Sequence, residues 1–163
     1  MTQLVDRTIQ VARHVTSSLR PAALDLGVTA ALEWLVEEFI SYAGIPCELV
    51  LGDGELVLGD ASATTIFRVV QESLTNIARH AEATQAEIIV TMDGDRLCFE
   101  VRDNGKGFDP QAVASRQSFG LVGMRERVAM GGGRFSAGPA GEGGYRVAAS
   151  LPTSSAYHEG VSA

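Results

Sequence analysis

The chain has 163 residues, 45% of them hydrophobic and 20% charged, which is ordinary globular composition and excludes a mostly disordered chain. This length buries a core without disulfides or metals and corresponds to one domain, or one domain with a helical appendage. Thirteen basic residues against twenty acidic leave a net charge of −7, which argues against nucleic acid as the main partner, because neutralising a phosphate backbone needs a basic surface.

Residues 2–19 carry Leu4, Val5, Ile9, Ala12, Val15 and Leu19 at helical spacing, and Pro21 ends that helix because proline disfavours helical geometry in the residue before it. LRPAALDLG reads as a turn closed by Gly27. A second helix is expected from about Thr29 to Tyr42, with Leu32, Leu35, Val36, Phe39 and Ile40 on one face and Gly44 and Pro46 as its stop. CELVLGDGELVLG alternates on either side of GDGE and predicts a hairpin. Asp60 or Ser62 is then placed to cap a long helix running to about His80, with an apolar stripe at Ile66, Val70, Leu74, Ile77 and Ala81.

AEIIVTM and RLCFEVR alternate across a DGD turn and make a second hairpin. DNGKGF is a loop, DPQAVAS a short helix, and a further helix runs from about Leu121 to Met130. A short strand, RFSA, a glycine-rich turn and a final strand, YRVAASLP, complete the pattern. The tail after Pro152 is small and polar and is expected to be disordered. Cys47 and Cys98 lie in alternating apolar runs without metal-type spacing and read as reduced, buried small hydrophobes. No apolar stretch approaches the roughly 20 residues that span a bilayer, and MTQLVDRTIQ lacks the pattern of a signal peptide. A soluble, cytoplasmic chain without membrane contact by this segment is expected.

Three places concentrate chemistry. On the long helix, Glu72, Asn76 and His80 fall four residues apart and share a face, with Arg79 beside them; these are ligand-type groups rather than Lys/Glu pairs. In DNGKGF, Asp103 ends a hydrophobic strand and offers a carboxylate that accepts from a base amino group, while Gly105 and Gly107 permit backbone shapes closed to other residues. In GLVGMRER, Gly120 and Gly123 sit where a helix is expected to begin, and the free amides of a helix N-terminus suit phosphate. Each motif alone also fits a solvated helix face, a simple turn or a surface loop.

In this order and spacing, ExxxNxxRH, DNGxGF and GLxGMRER closely resemble the ATP-binding catalytic domain of bacterial sensor histidine kinases, and more narrowly the nitrate–nitrite and membrane-fluidity sensor kinases. The resemblance covers residues from about 20 to 152. It implies an α+β fold, a two-layer α/β sandwich with a mixed sheet under three helices. It also divides the chain into residues 1–26, the C-terminal helix of a dimerisation hairpin; 27–152, the ATP-binding domain; and 153–163, the tail.

The resemblance assigns Asn76 to magnesium and Glu72 to the region of the γ-phosphate. Arg79 and His80 match positions that contact phosphate or nucleotide. Asp103 matches the adenine acceptor, Gly105 and Gly107 the pocket wall, and Gly120 and Gly123, with Leu121 and Met124 between and beside them, the second glycine box. The stretch from about Ala114 to Phe119 matches the lid over ATP. Implied cofactors are ATP and Mg2+. Implied partners are the phosphoacceptor helix of the same full-length kinase in a homodimer, and a response regulator.

No acceptor string like ERxRIARELHD is present, so the chain is expected to start after the acceptor histidine, most simply as a cytoplasmic fragment of a longer sensor kinase, with a free-standing ATP-binding protein as the alternative; His14 and His158 match no motif. No GxxxxGK[ST] loop occurs, which excludes that class of ATPase. An anti-sigma-factor-type serine kinase and a non-catalytic nucleotide-binding scaffold of the same fold are the alternatives.

Overall fold

The structure, a computed structural model, describes residues 20–107, 116–141 and 143–153. The expected helix over 2–19, the short helix in DPQAVAS and the tail lie outside the described residues, as do His14 and His158.

After a 3-10 turn at Ala22–Leu26, helix α1 spans Val28–Ala43. Leu32, Leu35, Val36 and Phe39 form its buried face, and Phe39 is fully buried. Ile40, expected on that face, is exposed instead. Gly44, in the left-handed conformation, stops the helix and donates its N–H to the Ile40 carbonyl at 3.0 Å, the usual glycine C-terminus.

Helix α2 spans Asp60–Asn76. Neither Asp60 nor Ser62 caps it. Asp60 is its first residue, Gly59 precedes it without a side-chain bond, and the Ser62 hydroxyl donates to the Pro152 carbonyl at 2.9 Å. Ser62 is buried against the sheet, so its hydroxyl ties the start of α2 to the last strand. The helix also does not run evenly to His80: from Ile77 to Ala81 it widens into a π turn, a departure often found at functional sites.

The strands are β1 (Cys47–Leu51), β2 (Ala86–Asp93), β3 (Arg96–Asp103), β4 (Arg134–Pro139) and β5 (Tyr145–Pro152). They form one sheet in the order β1-β2-β3-β5-β4. The β2–β3 hairpin is present, but the one expected at CELVLGDGELVLG is not. β1 pairs parallel to β2, and residues 55–59 form no strand. Leu56 and Leu58 satisfy their alternation by packing on the core; a period of two records which side chains are covered, not which backbone groups pair. The parallel pair in turn requires a long crossover, and α2 supplies it.

Helix α3 spans Arg116–Met130, one turn earlier than expected. With α1 and α2 it covers one face of the mixed sheet, where Val69, Val70, Ile88, Leu97, Val128 and Leu151 are fully buried. The result is the expected α+β two-layer sandwich.

Both cysteines are free thiols and only part-buried, less enclosed than expected. Burial, with the Glu87 carboxylate nearby, pushes the Cys47 thiol up to about 11. At pH 8 roughly one Cys47 in a thousand is then a thiolate, the reactive form. In a Cys98→Ser background, iodoacetamide should label Cys47 with a rate that climbs about tenfold per pH unit between pH 7 and 9.5. A rate that levels off by pH 9 contradicts the assignment.

Candidate functional site

A narrow cleft, with a cavity volume of about 20 Å³, opens between the end of α2 with its π turn, the ends of β3 and β5, and α3. Its polar groups are Ser73, Asn76, Asp103 and Tyr145; Ile77, Ala81, Val101, Leu121 and Val147 make most of the rest.

Asp103 ends β3 and is buried. Its carboxylate accepts the Gly105 N–H at 2.8 Å and the backbone N–H of Tyr145. Burial lifts its pKa above the ordinary 3.8, and the two N–H bonds hold that rise back. The loop after it is locked from the neighbouring turn. Backbone N–H groups of Thr84 and Gln85 donate to Asn104 Oδ1 at 2.9 Å each, and Asn104 Nδ2 donates to Thr84 Oγ1 at 2.8 Å.

Lys106 N–H donates to the Ala81 carbonyl at 2.8 Å, which fastens the DNGKGF loop to the end of the π turn. The Lys106 side chain points outward to Glu82 at 3.0 Å. A Cβ on Gly105 would stand 2.0 Å from the Ala81 carbonyl oxygen, and one on Gly144, at φ +80, would stand 1.8 Å from the Asp103 carbonyl oxygen. The contact distances leave no room for a side chain at either position.

The polar row of α2 divides. Asn76 lines the cleft. Glu72 turns towards α3, where a Cβ on Gly120 would lie 2.5 Å from its Oε1, so the bare glycine makes space for that carboxylate. The Glu72 charge also acts on Arg127 of α3. Arg79 is exposed and its charge reaches the Tyr42 phenol of α1. Arg79 and the half-buried His80 are not among the residues that line the cleft.

The second glycine box is also placed differently from expectation. Because α3 begins at Arg116, Gly120 and Gly123 lie inside the helix. Only the first four amides of a helix lack an internal acceptor; here these belong to residues 116–119. Gly123 faces open space, Met124 is buried in the core, and Leu121 alone of this box reaches the cleft lining.

Residues 61–155 match the family described as histidine kinase-, DNA gyrase B- and HSP90-like ATPase. The chain belongs to this ATPase family. The sensor histidine kinase MctS of Rhizobium johnstonii is 35% identical over 130 residues, covering 78% of this chain and 28% of that protein. The signal transduction histidine-protein kinase/phosphatase UhpB of Salmonella typhimurium is 36% identical over 142 residues, covering 86% of this chain and 28% of the relative. Among solved structures, the blue-light activated histidine kinase EL346 of Erythrobacter litoralis superposes with a TM-score of 0.61 at 20% identity, over 75% of this chain and 44% of that one. The chain thus spans under a third of the length of these two curated relatives, and the structural likeness speaks for the fold.

In this ATPase domain the motifs of the sequence named Asn76, Asp103, Gly107 and Leu121 of the cleft, and missed Ser73 and Tyr145. Ser73 sits three residues before Asn76, hence on the same helix face; its hydroxyl donates to the Val69 carbonyl at 2.8 Å and lies 3.6 Å from the Met124 sulfur. Tyr145 is paired with Asp103 across β3 and β5, a register visible only once those strands pair.

Two tests follow from this geometry. Ala at Gly105 or Gly144 should destabilise the domain by about 1–3 kcal/mol or more, read from urea unfolding; a loss below ~0.5 kcal/mol is inconsistent with the backbone contacts. Asp103 sets a pH dependence. Its folded pKa is raised, so the folded chain holds the proton more tightly than the unfolded one. Its contribution to stability is complete below the ordinary value and declines as pH rises through the raised value. The stability of the wild type relative to Asp103→Asn should therefore fall on going from acid to neutral pH. A difference that rises with pH over that range reverses the assignment.

Proposed function

We propose that this chain is the ATP-binding catalytic domain of a two-component sensor histidine kinase. It transfers the γ-phosphoryl group of ATP to a histidine nitrogen carried on a separate helix, for relay to an aspartate of a response regulator. The observation that carries the reading is the cleft, which gathers one residue or more from each of three motifs far apart in sequence: Asn76, Asp103 with Gly107, and Leu121. The names of the relatives agree with it.

In this reading the Asp103 carboxylate accepts from the adenine amino group, and Ile77, Val101 and Val147 remove the base from water. The phosphates run past Asn76 towards the free amides at the start of α3, where the helix dipole favours negative charge. Among the described residues no group of three His, Cys, Asp or Glu side chains is placed to hold a metal. The amide oxygen of Asn76, a hard ligand, would suit Mg2+. When bound, Mg2+ supplies neutralisation of the phosphate charge. Glu72 orients the attacking imidazole; the bond from the γ-phosphorus to the ADP oxygen breaks as the bond to nitrogen forms. Catalysis of this kind is mainly positioning and charge stabilisation.

Residues 1–26 then belong to the dimerisation hairpin of a homodimeric, longer kinase, with 27–152 as its cytoplasmic ATP domain. Arg79 and His80, whose motif positions match contacts to phosphate or nucleotide, stand outside the cleft lining. Among the described residues no helix is long and apolar enough to cross a membrane.

Calorimetric titration with ADP and ATP, with and without Mg2+, tests the reading. Asp103→Ala should weaken binding by roughly 1–3 kcal/mol, the cost of an unmet buried polar partner; unchanged affinity removes Asp103 from the adenine role. With a separately supplied acceptor hairpin, Glu72→Ala should keep nucleotide affinity and lose most transfer, because interactions made only in the transition state affect rate and not binding. Asn76→Ala should weaken Mg-ATP binding and transfer together. Equal loss of binding in both variants means that the two side chains share one metal site. The chain alone, given radiolabelled ATP, should acquire no acid-labile phosphate.

A further inference from the structure

Asp103 has a neighbour that no motif named. Tyr145 lies directly opposite it in the β3–β5 register, lines the same cleft, and gives its backbone N–H to the Asp103 carboxylate. Among the described residues that line the cleft it is the one aromatic side chain; the others that are apolar are aliphatic or small. Its main chain has little freedom to move away, because Gly143 and Gly144, both at positive φ, turn the chain immediately before it and Gly144 is pressed onto the Asp103 carbonyl. The phenol is half-buried and burial raises its pKa, so at neutral pH the ring is uncharged.

We propose that Tyr145 is the wall against which the nucleobase rests, and that by fixing the tilt of the base it lets Asp103 distinguish adenine from guanine. The inference rests on the reading of the cleft as an ATP site and adds to it a residue and a specificity. The physical basis is geometric. A carboxylate discriminates between an amino group and a carbonyl at the same position of a purine, since adenine offers a donor there and guanine an acceptor. That discrimination needs the edge of the base to meet the carboxylate squarely. Aliphatic side chains such as Ile77 and Val147 exclude water without preferring an orientation, whereas an aromatic ring offers a flat partner for the flat base. Tyr145 is held by its own backbone to the carboxylate it serves, so wall and acceptor move as one unit.

The test is a titration of ADP and GDP, each with Mg2+, against the wild type, Tyr145→Ala, Tyr145→Leu and Tyr145→Phe, with the unfolding temperature of each nucleotide-free chain measured alongside. Ala and Leu should weaken ADP by on the order of tenfold and GDP by less, so that the ADP-to-GDP affinity ratio falls. Phe, which keeps the ring, should restore both ADP affinity and the ratio. Leu keeps more apolar volume than Ala and decides the matter where Ala fails to fold. ADP affinity within twofold of wild type in the Leu variant overturns the proposal. So does a loss shared equally by ADP and GDP, which marks packing alone, or a Phe variant that behaves like Ala, which assigns the effect to the hydroxyl. A wild-type chain that binds neither nucleotide overturns the ATP reading itself and this inference with it.

Discussion

One backbone contact organises the site: the Lys106 N–H bonded to the Ala81 carbonyl. It joins the loop after β3 to the last residue of the π turn, two segments with a whole strand hairpin between them. The close approach is open only to a residue without a side chain, and Gly105 provides it. The same bond holds the strand end that carries Asp103, which lines the cleft together with Asn76. Gly144 repeats the device from the opposite side, pressing the β4–β5 turn onto the Asp103 carbonyl. Both ends of the β3 terminus are thus clamped by main chain, and a carboxylate can be held there at reduced solvation.

That clamping has an electrostatic cost. Asp103 is buried and its pKa is raised, so the fold gives up stability at neutral pH to keep an acceptor in an apolar cleft. Sites that violate local stability rules in this way are candidates for function. Elsewhere the charges behave as surface groups. Arg102 and Arg146 pair with Glu100 on the face of the sheet opposite the helices, where they hold neighbouring strands and touch no part of the cleft.

The helix α3 carries the part of the site that differs most from expectation. GLVGMRER suggests a glycine-rich entry to a helix, yet α3 is already one turn old at Gly120. The glycine there leaves room for the Glu72 carboxylate. Residues 108–115, which precede this helix, lie outside the described residues.

The apolar stripes of α1 and α2, the β2–β3 hairpin and the last two strands were legible in the sequence because a period of 3.6 or of two reports directly which side chains must leave water. The glycines of DNGKGF and the ligand-type row on α2 were legible because their chemistry departs from ordinary loops and helix faces. Pairing was not. The segment after GDGE alternates like a strand, yet Leu56 and Leu58 pack on the core while β1 goes parallel to β2; a local pattern records burial and carries no information about a hydrogen-bonding partner. Tyr145 was hidden for the same reason, since its place opposite Asp103 exists only in the register of β3 with β5. Arg79, on the motif and on the π turn, is exposed, and its charge acts on Tyr42. Residue types determined which chemistry was available to this chain; strand register and helix phase, set by long-range packing, decided which of those residues meet.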